Sequence, residues 1–275
     1  MFRPKRTLAV IAFTLASCSS QLVPVTTPPA PLPPLRLYVA APAAGLVSTL
    51  TTAYSLRNTD VTFEVIAVAE RAAREALGDP NAYAITHHLD ENFDGWAAPI
   101  GQDGIALIAH PSGGVQGLSL KQLRAIYSGE LTQWSQIGGE SLPIVVFTRE
   151  DGAGVQDLLI RQVMGSARMD SNIRIAPSDA AMRFAVERTP GALGYVPISQ
   201  LDGTALALTL DGATPSLDAL APQAYPLRMI LYVAGAREPN ADDPLGRHYR
   251  AFIGWVQSPE GQALVARHVA PLSLD

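Results

Sequence analysis

The sequence has a single cysteine, Cys18, among its 275 residues. One cysteine excludes an intramolecular disulfide. After the N-terminal region, no apolar run is long and uninterrupted enough for a transmembrane helix, which takes about 20 residues. Basic residues are also in the minority, with 20 Lys and Arg against 25 Asp and Glu. This acidic balance argues against binding to nucleic acid or, through charge, to anionic lipid.

The motifs of several enzyme classes are missing as well. The chain contains no Gly-Lys-Ser/Thr phosphate loop and no Gly-x-Ser-x-Gly nucleophile elbow. The tripeptide Gly152-Ala153-Gly154 continues as Val155-Gln156-Asp157, which does not match the dinucleotide-binding fingerprint. We therefore predict a protein that is not an enzyme, with no catalytic residues and no cofactor.

The 5 histidines are dispersed along the chain. His87 and His88 are neighbours, so on a strand their side chains would point to opposite faces and would not bind one metal ion together. The spacings typical of zinc ligands are absent. We predict no metal site and interpret the histidines as surface residues.

The N-terminus has the pattern of an export signal. Arg3, Lys5 and Arg6 precede a short apolar run over residues 8–16, too short to span a bilayer but suited to a signal peptide. The run ends in Leu15-Ala16-Ser17-Cys18, which resembles the lipobox of bacterial lipoproteins. We predict that residues 1–18 are a lipoprotein signal peptide and that Cys18 carries the lipid. The alternative is an ordinary signal peptide in which the cysteine has no role.

A linker rich in Pro, Ser and Thr follows over residues 19–34. Proline fixes the backbone and removes hydrogen-bond donors, so this stretch is expected to be extended and without a core. The folded part would begin near Leu35. We therefore predict an exported protein that is anchored by its lipid to a membrane outside the cytoplasm.

Strands and helices alternate along the rest of the chain, as the pattern of apolar residues indicates. We predict strands at residues 36–40, 61–68, 82–86, 104–109, 143–148, 193–196 and 229–234. We predict helices at residues 43–54, 70–77, 119–127, 155–164, 178–188, 243–256 and 258–268. This alternation favours an α/β fold, in which helices cover both faces of a sheet.

An ordered set of segments resembles the solute-binding proteins of phosphate ABC transporters. The set begins with Gly-Gln-Asp-Gly-Ile-Ala-Leu-Ile-Ala-His-Pro at residues 101–111. It continues with Ile126-Tyr127-Ser128-Gly129, Leu131-Thr132-Gln133-Trp134, Arg149-Glu150-Asp151-Gly152, Thr189-Pro190-Gly191-Ala192-Leu193-Gly194-Tyr195-Val196 and Ser258-Pro259-Glu260-Gly261-Gln262-Ala263. Each segment alone is a weak signal. Their shared order over residues 35–274 identifies the chain as similar to this family.

The resemblance implies a two-lobed clamshell with the type 2 periplasmic-binding-protein fold, each lobe a mixed sheet flanked by helices. Residues 35–109 and 225–275 would form the first lobe, and residues 110–224 the second. A small solute, phosphate or another anion, would bind between the lobes. An ABC permease would be the protein partner, and no nucleic acid would be bound.

The sequence departs from the family in the loops that contact phosphate. Where the family has Gly, Ser and Thr, the loops read Ala41-Pro42-Ala43-Ala44, Ala67-Val68-Ala69-Glu70-Arg71 and Ala153-Gly154-Val155. Where the family has Asp or Ser-Ser-Arg, this chain reads Thr86-His87-His88. Carried over by position, the ligand-binding residues would be Arg149, Gly152, Ala153, Gly154, Val155, Ala43, Ala44, Thr86 and His87. Each lost hydrogen bond to a charged ligand costs roughly 1.5–3 kcal/mol, so we predict that phosphate is bound weakly unless Glu70, Arg71, His87 or His88 compensates.

Three interpretations remain. The first is a solute-binding lipoprotein whose ligand differs from phosphate, or which binds phosphate weakly. The second is a protein of the same fold that transports no ligand and acts as a sensor or partner-binding module. The third is an enzyme built on this fold. Fold alone does not distinguish them.

Overall fold

The computed structural model of the chain describes residues 32–90 and 92–272. The predicted signal peptide, Cys18 and most of the predicted linker lie outside the described residues. Within the described ranges, none of the helices combines the length and the apolar character that a membrane span requires.

Each predicted strand and helix has a counterpart in the structure. The strands are β1 (Leu35–Ala40), β2 (Phe63–Val68), β3 (Tyr83–Thr86), β4 (Trp96–Ala109), β5 (Gly117–Leu118), β6 (Val145–Arg149), β7 (Arg174–Ala176), β8 (Ala192–Pro197), β9 (Leu206–Leu210) and β10 (Arg228–Gly235). The helices are α1 (Ala44–Ser55), α2 (Glu70–Glu75), α3 (Leu120–Tyr127), α4 (Gly154–Leu159), α5 (Asp179–Arg188), α6 (Pro244–Gln257) and α7 (Pro259–Val265), and a π-helical turn (Ile160–Met164) extends α4.

The strands form two mixed halves that meet at β4. In the first half, β1 is parallel to β2 and β3, and β10 is antiparallel to β3 and β4. In the second half, β6 is parallel to β7 and β8, and β8 and β9 are antiparallel to β4. The predicted α/β class with mixed sheets is confirmed.

Each of the two halves, which we call the first and second lobes, packs around an apolar core of its own. Leu37, Val39 and Phe252 are among the residues of the first core. Tyr127 and Trp134 are among those of the second. The polar atoms of both buried aromatic side chains have hydrogen-bond partners. Tyr127 Oη donates to the carbonyl of Phe147 at 2.9 Å, and Trp134 Nε1 donates to the carbonyl of Gly191 at 2.9 Å.

Strand β4 passes from one lobe to the other. Its Ala98 and Ile100 lie in the first core, and its Ile105 and Leu107 lie in the second. A Cβ atom at Gly104 would stand 2.6 Å from the carbonyl oxygen of Leu227, which only glycine avoids. The chain thus passes from the first core to the second inside β4, before residue 109. The division into residues 35–109 plus 225–275 and residues 110–224 stays a prediction.

Polar side chains begin the helices as the sequence indicates. Ser119 and Gln122 form the predicted capping box of α3. Ser178, Asp243 and Ser258 cap α5, α6 and α7. These caps fix where the chain turns away from the preceding strand or helix.

The structure differs from the predictions at a few elements. Strand β4 has 14 residues rather than residues 104–109 alone, because Pro99, Gly101 and Gly104 interrupt its apolar pattern. Strands β5, β7 and β9 were not predicted, since two of them are too short for an alternating pattern to be visible. The last helix ends at Val265, before the predicted residue 268.

Candidate ligand cleft

A cleft of about 850 Å³ lies where loops of the two lobes face each other. We call the lining residues within 41–46, 69–71, 87 and 267–269 the first wall. The second wall consists of the lining residues within 149–155, 177–183 and 197–200.

Most of the lining loops follow the carboxyl ends of parallel strands. In the first lobe, β1, β2 and β3 lead into the loops at residues 41–46, 69–71 and 87. In the second lobe, β6, β7 and β8 lead into those at residues 149–155, 177–183 and 197–200. The carboxyl edge of a parallel sheet is where α/β proteins bind ligands.

The structure brings most of the predicted ligand-binding residues together. Ala43, His87, Arg149 and residues 152–155 all line the cleft. Ala44 and Thr86 do not line it; Ala44 begins α1, and Thr86 is fully buried. That any of these residues contacts a ligand stays a prediction.

Arg149 is the last residue of β6 and its charge is already matched by carboxylates of the second lobe. Nε and Nη2 donate to the two carboxylate oxygens of Glu150, each at 2.9 Å. Nη1 donates to Asp179, the first residue of α5. Burial alone would lower the pKa of Arg149, but Glu150 and Asp179 outweigh it and raise that pKa. Burial likewise raises the pKa of Asp179, against the effect of Arg149.

The first wall contains a buried pair, Glu70 and His87, whose side chains are each 4% exposed. Glu70 Oε1 accepts from the Thr86 hydroxyl and, at 2.9 Å, from the backbone N–H of His87. Glu70 Oε2 lies 3.7 Å from Nδ1 of His87. The expectation that the histidines lie at the surface is therefore wrong for His87, because the adjacent carboxylate compensates the cost of burying its ring.

The pKa values of this pair move apart. Burial would raise the pKa of Glu70, but the contacts with His87 and Thr86 outweigh it and lower that pKa. Burial would lower the pKa of His87, but Glu70 and, more weakly, Asp103 and Asp179 outweigh it and raise that pKa. Both shifts favour the ionised pair.

A second buried carboxylate, Asp103, lies on β4 where the strand changes lobes. Its oxygens accept from the backbone N–H groups of Gly104 at 2.7 Å and Ser199 at 3.2 Å, and from the Ser199 hydroxyl at 2.5 Å. Burial raises the pKa of Asp103, although His87 and Ser199 oppose the shift. Ser199 lines the cleft, so this contact ties the crossing strand to the second wall.

The first wall offers no side-chain hydroxyl to the cleft. It presents Ala41, Pro42, Ala43 and Ala69, and the hydroxyl residues of α1 do not line the cleft. Thr49 Oγ1 instead bonds the carbonyl of Gly45 at 3.1 Å and Nε2 of His268 at 3.0 Å. The Thr49 hydroxyl is thus engaged by first-lobe residues.

Arginines and carboxylates line the cleft in equal number. They are Arg71, Arg149, Arg183, Arg267, Glu70, Glu150, Asp151 and Asp179. Sequence analysis placed Glu70 in a phosphate-contact loop without predicting its burial, and it missed Asp179 as a cleft residue. Both are first residues of helices, where carboxylates are common for local reasons, so the sequence carried no signal that they are buried between the lobes.

Two mixed α/β lobes, joined by crossing strands and separated by a cleft at their strand ends, define the class of two-lobed solute-binding proteins. The profile of the PBP superfamily domain matches residues 25–260. The chain belongs to this superfamily, and the resemblance to the phosphate ABC transporter solute-binding proteins is confirmed.

Two bacterial relatives are phosphate-binding proteins named PstS. The chain is 29% identical over 125 residues to the one from Bacillus subtilis, covering 45% of this chain and 41% of that protein. It is 24% identical over 193 residues to the one from Pseudomonas aeruginosa, covering 62% of this chain and 58% of that protein. The matched regions therefore span about two fifths and three fifths of these relatives.

Solved structures have the same fold. A Clostridium perfringens protein, assigned to phosphate ABC transporter substrate-binding proteins and solved with phosphate, superposes with a TM-score of 0.76 at 23% identity. That match covers 88% of this chain and 100% of the other. A Vibrio cholerae phosphate transport receptor gives 0.73 at 23% identity, covering 86% and 100%. The two-lobed type 2 fold is thereby confirmed.

Proposed function

We propose that this chain is an extracytoplasmic solute-binding protein that holds a small solute between its two walls and delivers it to an ABC permease. The observation that carries the proposal is the cleft itself, which lies at the strand ends of both lobes and has Arg149 at its second wall. Its volume of about 850 Å³ is in the range of small-molecule sites. The relatives named above support transport rather than catalysis.

We further propose that inorganic phosphate is not bound with the affinity usual for the family. A dehydrated oxyanion needs a hydrogen bond to nearly every oxygen, because unpaired buried charge is costly. Ala43, Ala153 and Val155 have no side-chain donor, and Arg149 already pairs with two carboxylates. The remaining candidates from the predicted set are the backbone of residues 152–155 and His87.

Attachment through Cys18 completes the proposal. The basic segment, the short apolar run and the Leu-Ala-Ser-Cys sequence support it. A lipid on Cys18 and the linker of residues 19–34 would hold the lobes near the permease at the outer face of the membrane.

Identification of the solute tests the proposed function. The chain is purified without refolding, denatured, and the released small molecules are identified by mass spectrometry. We expect one solute in near-equimolar amount, absent from Arg149→Gln and present in Arg188→Gln, a variant of an exposed arginine on α5. If wild-type protein releases nothing and a panel of anions and organic solutes leaves its melting temperature unchanged, the transport proposal fails.

The second candidate is a sensor or partner-binding protein of the same fold with no solute. The observation that favours it is a direct contact between the lobes beside the cleft: Arg74 Nη1 of α2 donates to Asp157 Oδ2 of α4 at 2.9 Å. A stable protein partner captured by the purified chain, together with no released solute, would support this candidate.

A further inference from the structure

We propose that a cluster of four side chains beside the cleft is a latch between the lobes, and that the latch releases when the ring of His88 takes up a proton. The latch consists of Arg74, His88, Asp157 and Arg161. The proposal concerns the arrangement of the lobes and not the choice of solute. It therefore goes beyond the proposed function and applies equally to a transport component and to a sensor.

The latch residues come from both lobes and lie outside the ligand cleft. Arg74 lies in the last turn of α2, and His88 lies two residues after β3, both in the first lobe. Asp157 lies in α4, and Arg161 lies in the π-helical turn that extends α4, both in the second lobe. Among the described residues that line the cleft, none belongs to the latch. A change of charge in the latch therefore acts on the lobes without altering the cleft lining.

Three contacts join the latch across the lobes. Arg74 Nη1 donates to Asp157 Oδ2 at 2.9 Å. Nη1 of Arg161 lies 2.6 Å from Nδ1 of His88, and Nε2 of His88 lies 4.0 Å from Oδ2 of Asp157. The side chains of Arg74, His88 and Asp157 are 15%, 11% and 19% exposed. Water therefore screens these interactions only in part, and they hold the lobes together.

The contact between Arg161 and His88 requires a neutral histidine ring. A guanidinium group only donates hydrogen bonds, so the ring nitrogen that faces it must accept, and a protonated ring has no acceptor. Burial and the charge of Arg161 accordingly lower the pKa of His88. Protonation of His88 would replace a hydrogen bond between the lobes by repulsion between two cations.

Two cations and two anions face the His88 ring. Arg161 and Arg74 lower its pKa, whereas Asp157 and Asp90 raise it. Asp90 Oδ1 lies 3.5 Å from Nε2 of His88, but the side chain of Asp90 is 71% exposed, so water screens this attraction. The opposing charges cancel in large part, and burial of the ring together with the contact from Arg161 decides the direction.

This direction predicts that acid weakens the latch. Lobes that are joined by crossing strands can separate by a hinge movement, which would expose the His88 ring and return its pKa toward the ordinary value of about 6.5. Protons then bind preferentially to the open arrangement. The latch is complete above about pH 6.5, and below it the ratio of latched to open molecules falls by up to about tenfold per pH unit until His88 is protonated in both arrangements.

Double electron–electron resonance between spin labels on the two lobes tests the proposal. The labels are placed in the full chain at Thr52→Cys on α1 and Lys121→Cys on α3, both exposed, with Cys18→Ser so that only these positions react. After extensive dialysis into solute-free buffer, distances are measured at pH 7.5 and pH 5.0. We expect one distance at pH 7.5 and a second distance at pH 5.0, with the ratio of the first to the second reduced about tenfold or more.

Two variants and one control assign the response. His88→Gln gives Arg161 a neutral acceptor that does not titrate, so it is expected to show the same distances at both pH values. Asp157→Asn removes the carboxylate that Arg74 contacts, so it is expected to show the second distance already at pH 7.5. The control His248→Gln, on α6, removes a histidine outside the latch and is expected to respond to pH as wild type does. Thermal melts at both pH values verify that each protein is folded.

Three results would overturn the proposal. Folded wild type with the same distances at both pH values would mean that acid does not release the lobes. A His88→Gln variant that responds to acid as wild type does would assign the response to another group. An Asp157→Asn variant that keeps the first distance at both pH values would mean that the cluster does not hold the lobes. None of these results changes which solute wild type releases, so the proposed function is tested separately.

Discussion

The two walls of the cleft handle charge in different ways. The second wall holds Arg149 between Glu150 and Asp179, and Glu150 remains 45% exposed at its side chain. The first wall buries Glu70 against His87, with 4% of each side chain exposed. Water therefore screens one network and is excluded from the other, so the same kind of pairing has unequal consequences for stability.

Removing one partner of the buried pair is expected to have the largest effect. His87→Ala leaves the Glu70 carboxylate buried without its counter-charge, and breaking a buried pair in this way costs about 3–5 kcal/mol. Urea unfolding of His87→Ala and wild type near pH 6 gives the difference in the free energy of unfolding. His248→Ala, on α6 and outside the cleft, is the control and is expected to change it little.

The matched change in the second wall sharpens the comparison. Arg149→Gln removes the charged group that donates to Asp179, whose side chain is 15% exposed, and such a loss costs about 1–3 kcal/mol. Equal losses for His87→Ala and Arg149→Gln would contradict the difference between a dry first wall and a hydrated second wall.

The effect of pH on the stability that Glu70 and His87 contribute is expected to be intermediate in size. The pKa of His87 is raised in the folded protein, so its contribution is complete below the ordinary value of about 6.5 and is lost as pH rises through the folded value. The pKa of Glu70 is lowered, so its contribution is present above its ordinary value and is lost as pH falls through the folded value.

The stability difference between wild type and His87→Ala should therefore be largest at mildly acid pH. It should shrink on the alkaline side with a slope that approaches about 1.4 kcal/mol per pH unit, the limit for one proton. Urea unfolding from pH 5 to pH 9 measures it. A difference that grows as pH rises would mean that His87 is neutral in the folded protein and would break the ion-pair interpretation.

The contrast between the walls also explains what the sequence could predict. The strand and helix positions followed from apolar periodicity, and the capping box at Ser119 followed from local spacing. The point inside β4 at which the chain passes from the core of one lobe to the core of the other could not be predicted in the same way. It depends on the approach of Gly104 to Leu227, which are far apart in sequence.

The second wall was more accessible to sequence reasoning than the first. Arg149 and residues 152–155 stand in one segment with the family's order, and the structure brings them to the cleft. Glu70 and His87 are 17 residues apart, and neither has a local pattern that marks it as buried. Their pairing arises because β2 and β3 both lie beside β1, so only the sheet order brings the two loops together.

The salt bridge between Arg74 and Asp157 links the two lobes beside the cleft. Arg74 of α2 and Asp157 of α4 lie 2.9 Å apart, with side chains 15% and 19% exposed. Asp90 lies 3.7 Å from Arg74, and His88 lies 4.0 Å from Asp157. This pair is less buried than Glu70–His87 and Arg149–Asp179 and more buried than Arg36–Glu64, so its strength tests whether burial sets the scale.

A double-mutant cycle on Arg74 and Asp157 is expected to give the smallest effect. Arg74→Ala, Asp157→Ala and the double variant, measured by urea unfolding against wild type, give the coupling free energy between the two side chains. We expect about 1 kcal/mol, above an exposed pair because water is partly excluded, and below the buried pair because both groups keep some solvent.

The matched control is Arg36 and Glu64 on neighbouring strands of the first lobe, whose side chains are 54% and 41% exposed. The coupling between Arg36 and Glu64 is expected to be at most about 0.5 kcal/mol. Because Asp90 and His88 are present in all four proteins, their additive effects cancel in the cycle. Coupling between Arg74 and Asp157 no larger than that between Arg36 and Glu64 would mean that the contact between the lobes adds nothing beyond a surface pair, and the stability of the cleft would then depend on the walls alone.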